Sequence, residues 1–574
     1  MSERGPQTSE VMAQKVQNRG LAVPGHGRGA FTTGVAARLR RRLWLLHGWR
    51  ADLAALALGA LSALALPPLG LVPVLLLSFP GLLTLIDAAP RARTTFRRGY
   101  AFGFGHHLVG LYWITEAILV KADQFWWLVP FAVPITAAGL APFIALPCAA
   151  SRLAPAGWRR AMLFAGLWTL ADIARQFVLT GFPWNPLGSV WALSGPLGDV
   201  MIQPASAVGV HGLTLATVLV AAAPVLGRRA VLGAVAVLLS WAGFGIVRLA
   251  KPLPGAPGVS VVVAQGNVSE AEKHDQSWAV ATFRHYLDLT REGVAEASRE
   301  PDGTAEVPLR GEDGRRARAP GSGGPAGIAG TEHIVVVWPE TASPFLLAQD
   351  ANARLAIAEA AGPAAASLVG TVRFDASGRP RNSLVAVLPD GSVGATYDKS
   401  HLVPFGEYVP SWLPLLQLVP GGGFAPGPGI VTQHVAGVPA FGALICYETI
   451  FPSQVVDQAN RPDWLVEVTN DAWFGLGTGP RQHLASARLR AVEEGLPLVR
   501  AANTGISAAF DSFGREQGRL GLVRPGTLVL ALPGRLPPTA YARLGLLIPI
   551  LLALAAAALG LGMGRRKGAA SFSI

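Results

Sequence analysis

The chain has 574 residues, of which 51% are hydrophobic and only 15% charged. That balance excludes a single compact soluble domain and points to an integral membrane protein. The net charge of +12 does not indicate a nucleic-acid partner, because the arginines gather at the ends of apolar stretches, where basic residues set membrane orientation.

Residues 1–50 read as a basic, unpatterned cytoplasmic tail ending in Arg38, Arg40, Arg41, Arg42 and Arg50. Residues 51–252 read as a seven-span membrane domain, with apolar stretches at about 52–68, 70–88, 100–120, 125–150, 161–180, 200–226 and 230–250. Crossing about 30 Å of hydrocarbon takes roughly 20 helical residues. The first two stretches are therefore short, joined by a tight turn at Pro67, Pro68 and Gly70. An eighth span is expected at about 541–563, inside a closing unit of 538–574. Arg91, Arg93, Arg97 and Arg98 fill one loop, Arg152, Arg159 and Arg160 another, and Arg228 and Arg229 a third. With Arg565, Arg566 and Lys567 these fall on alternate loops, so the amino terminus is cytoplasmic and the block at 253–537 lies outside. Six ionisable residues interrupt the apolar stretches: His106, His107, Glu116, Asp172, Arg175 and His211. Asp172 and Arg175 are spaced to pair on one helix face, and none of the six is assigned chemistry.

The outer block changes texture. Short β-branched runs at Val259–Val263, His333–Val337, Ser367–Val372, Ser383–Leu388, Ala440–Cys446 and Trp464–Val468 alternate with helical patterns near 271–297, 350–362, 452–460 and 481–495. Strands alternating with helices predict an α/β domain with functional residues at strand ends. Residues 298–332, rich in Gly, Pro and scattered charge, read as a disordered insertion.

Two cysteines, Cys148 and Cys446, make no disulfide framework. No HExxH, CxxC or paired-histidine spacing and no phosphate-binding glycine loop occurs, so neither metal nor cofactor is expected. The run Ala443-Leu444-Ile445-Cys446-Tyr447-Glu448 instead brings a thiol to the end of an apolar strand. Trp338-Pro339-Glu340 and Tyr397-Asp398-Lys399 bring a carboxylate and an ammonium to two other strand ends. A free thiol has a pKa of roughly 8.5 and needs a base or a cation to attack at neutral pH. Glu340 suits the base, and Lys399 suits the stabilisation of an oxyanion. Together they are the parts of a nucleophilic acyl-transfer site.

WPE, YDKSHLVPFGEYVP, ICYE and VTNDAWF, in this order, resemble the nitrilase superfamily and its Glu-Lys-Cys site. With the spans around them, and with Gly181-Phe182-Pro183-Trp184-Asn185-Pro186, they resemble the apolipoprotein N-acyltransferase family of the bacterial inner membrane. The resemblance implies an α-β-β-α sandwich carried outside the membrane by a polytopic helical domain of about eight spans. It implies Cys446 as nucleophile, Glu340 as general base and Lys399 as oxyanion stabiliser. Glu407 matches a second acidic residue that holds Lys399 or moves protons, and Tyr447 and Glu448 match residues needed beside the thiol. Glu448 reads equally well as half of a buried ion pair, and Asn470 as a residue that fixes a loop. The backbone N–H after Cys446 is a second candidate oxyanion donor. The implied partners are a phospholipid acyl donor and a diacylated apolipoprotein acceptor, served by a monomer, with final amide formation needing no ATP. A membrane-tethered carbon–nitrogen hydrolase would share the three residues. The HLVPFGEYVP segment and the multi-span base favour acyl transfer. Directly after that segment, Ser411–Pro420 is densely apolar, and Trp412, Leu415 and Leu416 are expected on a mobile arm that dips into the outer leaflet.

Overall fold

The computed structural model describes residues 34–120, 122–274, 276–299, 333–411 and 423–562. Most of the amino-terminal tail, nearly all of the 298–332 insertion, and Trp412, Leu415 and Leu416 lie outside those residues.

The Leu- and Ala-rich first half is helical, as expected of straight-chain and small side chains that lose little freedom in a helix. Its main helices are α1 (Trp49–Ala63), α2 (Leu75–Asp87), α3 (Ala92–Gly110), α4 (Val129–Leu140), α5 (Pro142–Ala150), α6 (Trp158–Ala174), α7 (Ala205–Leu226) and α8 (Arg228–Leu249). Three helical runs among the described residues are long and apolar enough to cross a membrane: Trp126–Leu153, α7 and α8. Val72–Asp87 and the later Leu547–Leu561 are apolar but shorter. The apolar stretch expected at 100–120 is not one helix. It begins inside the arginine cluster and breaks at Leu111–Trp113, where Trp113 packs against Trp184, their ring centroids 4.5 Å apart. Helix α7 is interrupted at Gly209, whose φ of +66° leaves the helical region. Asp172 and Arg175 pair as their spacing predicts, and Arg175 also donates to the carbonyl of Trp184 at 3.1 Å.

Twelve strands follow: β1 (Val259–Gln265), β2 (His333–Trp338), β3 (Ala366–Phe374), β4 (Pro380–Val387), β5 (Val393–Asp398), β6 (Thr432–Val435), β7 (Val438–Ile445), β8 (Trp464–Thr469), β9 (Leu498–Ala502), β10 (Ser507–Phe510), β11 (Glu516–Leu520) and β12 (Gly526–Ala531). They form two six-stranded sheets, ordered β12-β1-β2-β3-β4-β5 and β11-β10-β9-β8-β7-β6. The central triplets β1-β2-β3 and β7-β8-β9 are parallel. Parallel strands are buried on both faces, which accounts for the near-continuous valine runs. Side chains alternate across each strand. Val261, Val263, Val335 and Val337 therefore face Ala443, Ile445, Val466 and Val468 between the sheets. On the other face of the first sheet, Val262 and Val336 pack on α9 (Ala279–Ala297) and α10 (Ala351–Ala361) through Phe283, Tyr286 and Ile357. Leu444, Leu465 and Leu498 do the same for the second sheet against α11 (Gly479–Glu494). The layers run helix, sheet, sheet, helix in the carboxy-terminal part of the chain, the α-β-β-α sandwich expected from the sequence.

One expected helix is absent. Residues 452–460 form turns, because Pro452 has no N–H to give and Asp457 accepts from the backbone N–H groups of Ala459 and Asn460 at 3.0 and 3.2 Å. The last helix, α12 (Leu547–Leu561), returns to pack against α6 and α7.

Candidate active site

Strand ends place the reactive groups, as in other open α/β sheets. Glu340 follows β2 by two residues, Lys399 follows β5 directly, Cys446 follows β7 directly, and Asn470 follows β8. Cys446 takes a φ of +52°. A non-glycine residue pays roughly 1–3 kcal/mol for that region, and such positions gather at functional sites. The bend ends the strand and starts a single helical turn, Cys446–Ile450. The first N–H groups of such a turn have no intrahelical acceptor.

Lys399 is 1% exposed and held between two carboxylates, its Nζ 3.2 Å from Glu340 Oε1 and 3.0 Å from Glu407 Oε1. Burial pulls the ammonium down, but Glu340 and Glu407 outweigh it and hold Lys399 above the ordinary lysine range, so it stays charged. Burial pushes Glu340 up. Lys399 and a hydrogen bond from Asn382 more than reverse that, and Glu340 sits below the ordinary glutamate range, ionised. The Cys446 thiol is raised well above its ordinary value, first by burial and then by Glu340 and Asp471, against the opposing pull of Lys399 and a hydrogen bond to Thr469. At rest the site is therefore a neutral thiol facing an ionised carboxylate and a fixed cation. Attack by sulfur then requires a proton to move to Glu340, the arrangement for general-base catalysis.

Three further groups fix that geometry. Asn382 Nδ2, at the start of β4, donates to Glu340 Oε1 at 2.7 Å and to Glu407 Oε1 at 2.9 Å. The Asn470 N–H donates to Glu340 Oε2 at 2.9 Å. The Val403 N–H donates to Glu407 Oε2 at 2.8 Å. Gly370 on β3 passes so near that a Cβ there would fall 2.0 Å from the Pro339 carbonyl oxygen and 2.7 Å from Glu340 Cα. Among the described residues no group of three or more His, Cys, Asp or Glu side chains converges as a metal site.

The sequence model described as the apolipoprotein N-acyltransferase N-terminal domain matches residues 58–223, and the carbon-nitrogen hydrolase model matches residues 294–540. An apolipoprotein N-acyltransferase of Bradyrhizobium diazoefficiens is 38% identical over 87% of this chain and 93% of its own length. That of Rhodopseudomonas palustris is 38% identical over 89% of this chain and 95% of its own. The chain belongs to the apolipoprotein N-acyltransferase family. A solved CN-hydrolase superfamily protein from Xanthomonas campestris matches at 18% identity, covering 47% of this chain and 89% of that one, with a TM-score of 0.31.

In this member of the family, residues of both matched regions meet beside the thiol. Tyr447 donates its hydroxyl to the Gly181 carbonyl at 2.7 Å. Trp184 donates to Gln482 Oε1 at 2.8 Å, and Gln482 Nε2 donates to the carbonyls of Pro67 and Gly110 at 3.2 and 3.3 Å. Trp113, Trp184, Tyr447 and Phe451 close the junction as one buried cluster, with Phe474 packed against it. The GFPWNP loop thus lies at the site.

Glu448 differs from the expected ion pair. Among the described residues it has no cationic partner; its carboxylate accepts from Tyr397 Oη, Ser400 N, Ser400 Oγ, His401 N and Ile445 N, at 2.6 to 3.2 Å. Five donors tie the thiol strand to the lysine loop and leave this carboxylate a structural hub. Asn470 donates to Glu270 and accepts from Asn503 Nδ2 at 3.0 Å.

Sequence reasoning missed Asn382, which sits between strands with no pattern to mark it. It also missed His483, read only as part of a helix, whose Nε2 lies 3.0 Å from the Cys446 carbonyl and whose Nδ1 lies 3.0 Å from Asp471 Oδ1. Asp471 and Glu467 in turn pair with the fully buried Arg500. Asp471 stood inside the VTNDAWF motif beside Asn470, the one available signal.

Proposed function

We propose that the chain is a phospholipid-to-apolipoprotein acyltransferase that works through a thioester on Cys446. Glu340 takes the thiol proton as sulfur attacks the phospholipid ester carbonyl. Lys399 and the Tyr447 N–H stabilise the oxyanion. Glu340 returns the proton to the departing lysophospholipid oxygen, leaving an acyl-thioester. The amino group of a diacylglyceryl-cysteine then attacks the thioester, its proton passes through Glu340 to the sulfur, and an amide results. Glu407 keeps Lys399 in place. Each half-reaction regenerates what the other consumes, so the kinetics are ping-pong.

The observation that carries this reading is the buried Glu340–Lys399–Glu407 cluster with Cys446 at a strained strand end, beside an apolar junction with the membrane helices. A lipid-borne substrate needs such a junction and a soluble amide does not, so the hydrolase alternative is disfavoured.

The reading includes a chain crossing the bacterial inner membrane eight times. Residues 1–50 and the end of the closing unit 538–574 are cytoplasmic, 51–252 form the membrane domain, and 253–537 form a periplasmic catalytic domain acting as a monomer. The alternating arginine loops support that orientation. The lipid-suited side chains left exposed on α4 and α8, among them Phe131, Ile135, Leu232, Leu239 and Val247, support the embedding of these helices in lipid.

The test is intact mass of the detergent-purified protein after incubation with phospholipid. A hydroxylamine-labile gain of one acyl chain, absent from Cys446→Ala and discharged by a diacylated peptide, is expected. No gain with any phospholipid would overturn the donor assignment.

A further inference from the structure

We propose that the Glu116 carboxylate recognises a lipid-borne ammonium group at the mouth of the acyl-transfer site; this rests on the acyltransferase reading above. Glu116 lies in the apolar run Leu111–Val120, on the short helix Ile114–Leu119. It is half-buried, and its carboxylate has no hydrogen bond or ion pair among the described residues. The other carboxylates at the site are all engaged: Glu340 and Glu407 with Lys399, Glu448 with five donors, Asp471 with Arg500 and His483. An acidic residue within an apolar, membrane-level segment is costly and ordinarily has a partner or a function.

Its position is defined by the catalytic domain. A Cβ on Gly475 would fall 2.5 Å from Glu116 Cγ and 2.8 Å from its Cδ, so this glycine backbone lies directly on the side chain. Gly475 follows Phe474, whose ring meets Trp113 at 4.8 Å and His483 at 5.5 Å. His483 reaches the Cys446 carbonyl. Contacts through Gly475, Phe474 and His483 thus link Glu116 to the Cys446 carbonyl. Both lipid substrates can bring an ammonium there: the headgroup of an ethanolamine phospholipid, or the free amine of the acceptor. The attacking amine must be neutral, and a carboxylate favours the charged form, so the geometry suits a docked headgroup better than the nucleophile.

The experiment uses the full chain in lipid nanodiscs and compares wild type with Glu116→Gln and Glu116→Asp. Thioester loading is timed from ethanolamine and glycerol phospholipids with identical acyl chains, and from a neutral p-nitrophenyl ester. Discharge is timed onto a diacylated peptide. Loss of a charge-assisted contact predicts that Glu116→Gln loads about tenfold more slowly from the ethanolamine donor relative to the glycerol donor. Loading from the neutral ester should be unchanged, and Glu116→Asp should restore part of the loss. A loss confined to discharge would place the ammonium on the acceptor and still support recognition. Unchanged rates throughout, or one equal loss on all three donors, would overturn the proposal. A wild type that loads from the neutral ester but from neither phospholipid would overturn the donor reading and this proposal with it.

Discussion

Tyr447, the residue after the thiol, donates its hydroxyl to the carbonyl oxygen of Gly181, 266 positions earlier in the chain. The bond joins the turn that orients Cys446 to a loop of the helical half. Tyr447→Phe keeps the ring against Phe451, 5.2 Å away between centroids, and leaves a buried carbonyl without its donor. Such a loss costs about 1–3 kcal/mol. The expected result is a lower unfolding temperature together with slower acyl loading. A variant that is destabilised but loads at the wild-type rate would reduce this contact to a purely structural one.

Asn382 should matter nearly as much as the residues it touches. Removing an outer hydrogen-bonding partner from an active group typically costs 10–100-fold, and about that loss is expected for Asn382→Leu in thioester formation. The pH profile should also move. Burial raises Glu340, and Lys399 and Asn382 lower it. Without Asn382 the carboxylate pKa rises, so the acidic limb of the loading rate shifts to higher pH. A smaller rate with an unmoved limb would contradict this assignment.

Gly370→Ala tests how closely Glu340 must be held. The added methyl would overlap the Pro339 carbonyl and crowd Glu340 Cα, and overpacking costs about 1–3 kcal/mol. Since the displaced atoms carry the proposed general base, activity should fall by much more than stability, read as loading rate against unfolding temperature. Loading at the wild-type rate would show that Glu340 tolerates the shift.

Glu493, near the end of α11, predicts a pH-dependent stability. Its Oε1 accepts from the Val210 N–H at 2.7 Å, next to the break at Gly209, and Arg490 Nη2 lies 2.8 Å from Oε2. Burial pushes this carboxyl up to about 7, against the pull of Arg490 and the Val210 hydrogen bond. The folded protein then holds a proton that the unfolded chain releases near pH 4.5. Stability contributed by this group is full below that value and declines as pH rises towards 7. Glu493→Gln cannot titrate, so this decline in the unfolding temperature should vanish whatever the absolute change. A decline that persists unaltered would assign it to other groups.

The proposed triad was legible because each member ends a run with a clear pattern: valines before Trp338, an apolar approach before Cys446, and a Tyr-Asp-Lys step at Lys399. The parallel strands β1, β2, β3, β7 and β8 were legible for the same reason; β9, equally buried and parallel, was not. Strands β5, β6 and β9 to β12 were not. Several are edge or antiparallel strands, short, partly exposed and interrupted by glycine or charge, as in Glu516–Leu520. Asn382 and His483 act through contacts between distant segments, and nothing local distinguishes an asparagine that spans two carboxylates from one in solvent. The break in the 100–120 stretch was hidden similarly, since it accompanies the packing of Trp113 on Trp184 and Phe474.

Gln482 reaches the carbonyls of Pro67 and Gly110 in the helical half, as Tyr447 reaches that of Gly181. These acceptors are backbone oxygens, so their positions depend on the path of the chain more than on the identity of its side chains. At these three acceptors the helical half can therefore change its side chains while remaining mechanically matched. A chimera that grafts this sandwich onto an unrelated set of spans would keep the whole triad and lose the frame that aims it. Exchange between relatives should succeed where the paths around Pro67, Gly110 and Gly181 coincide, even at modest identity.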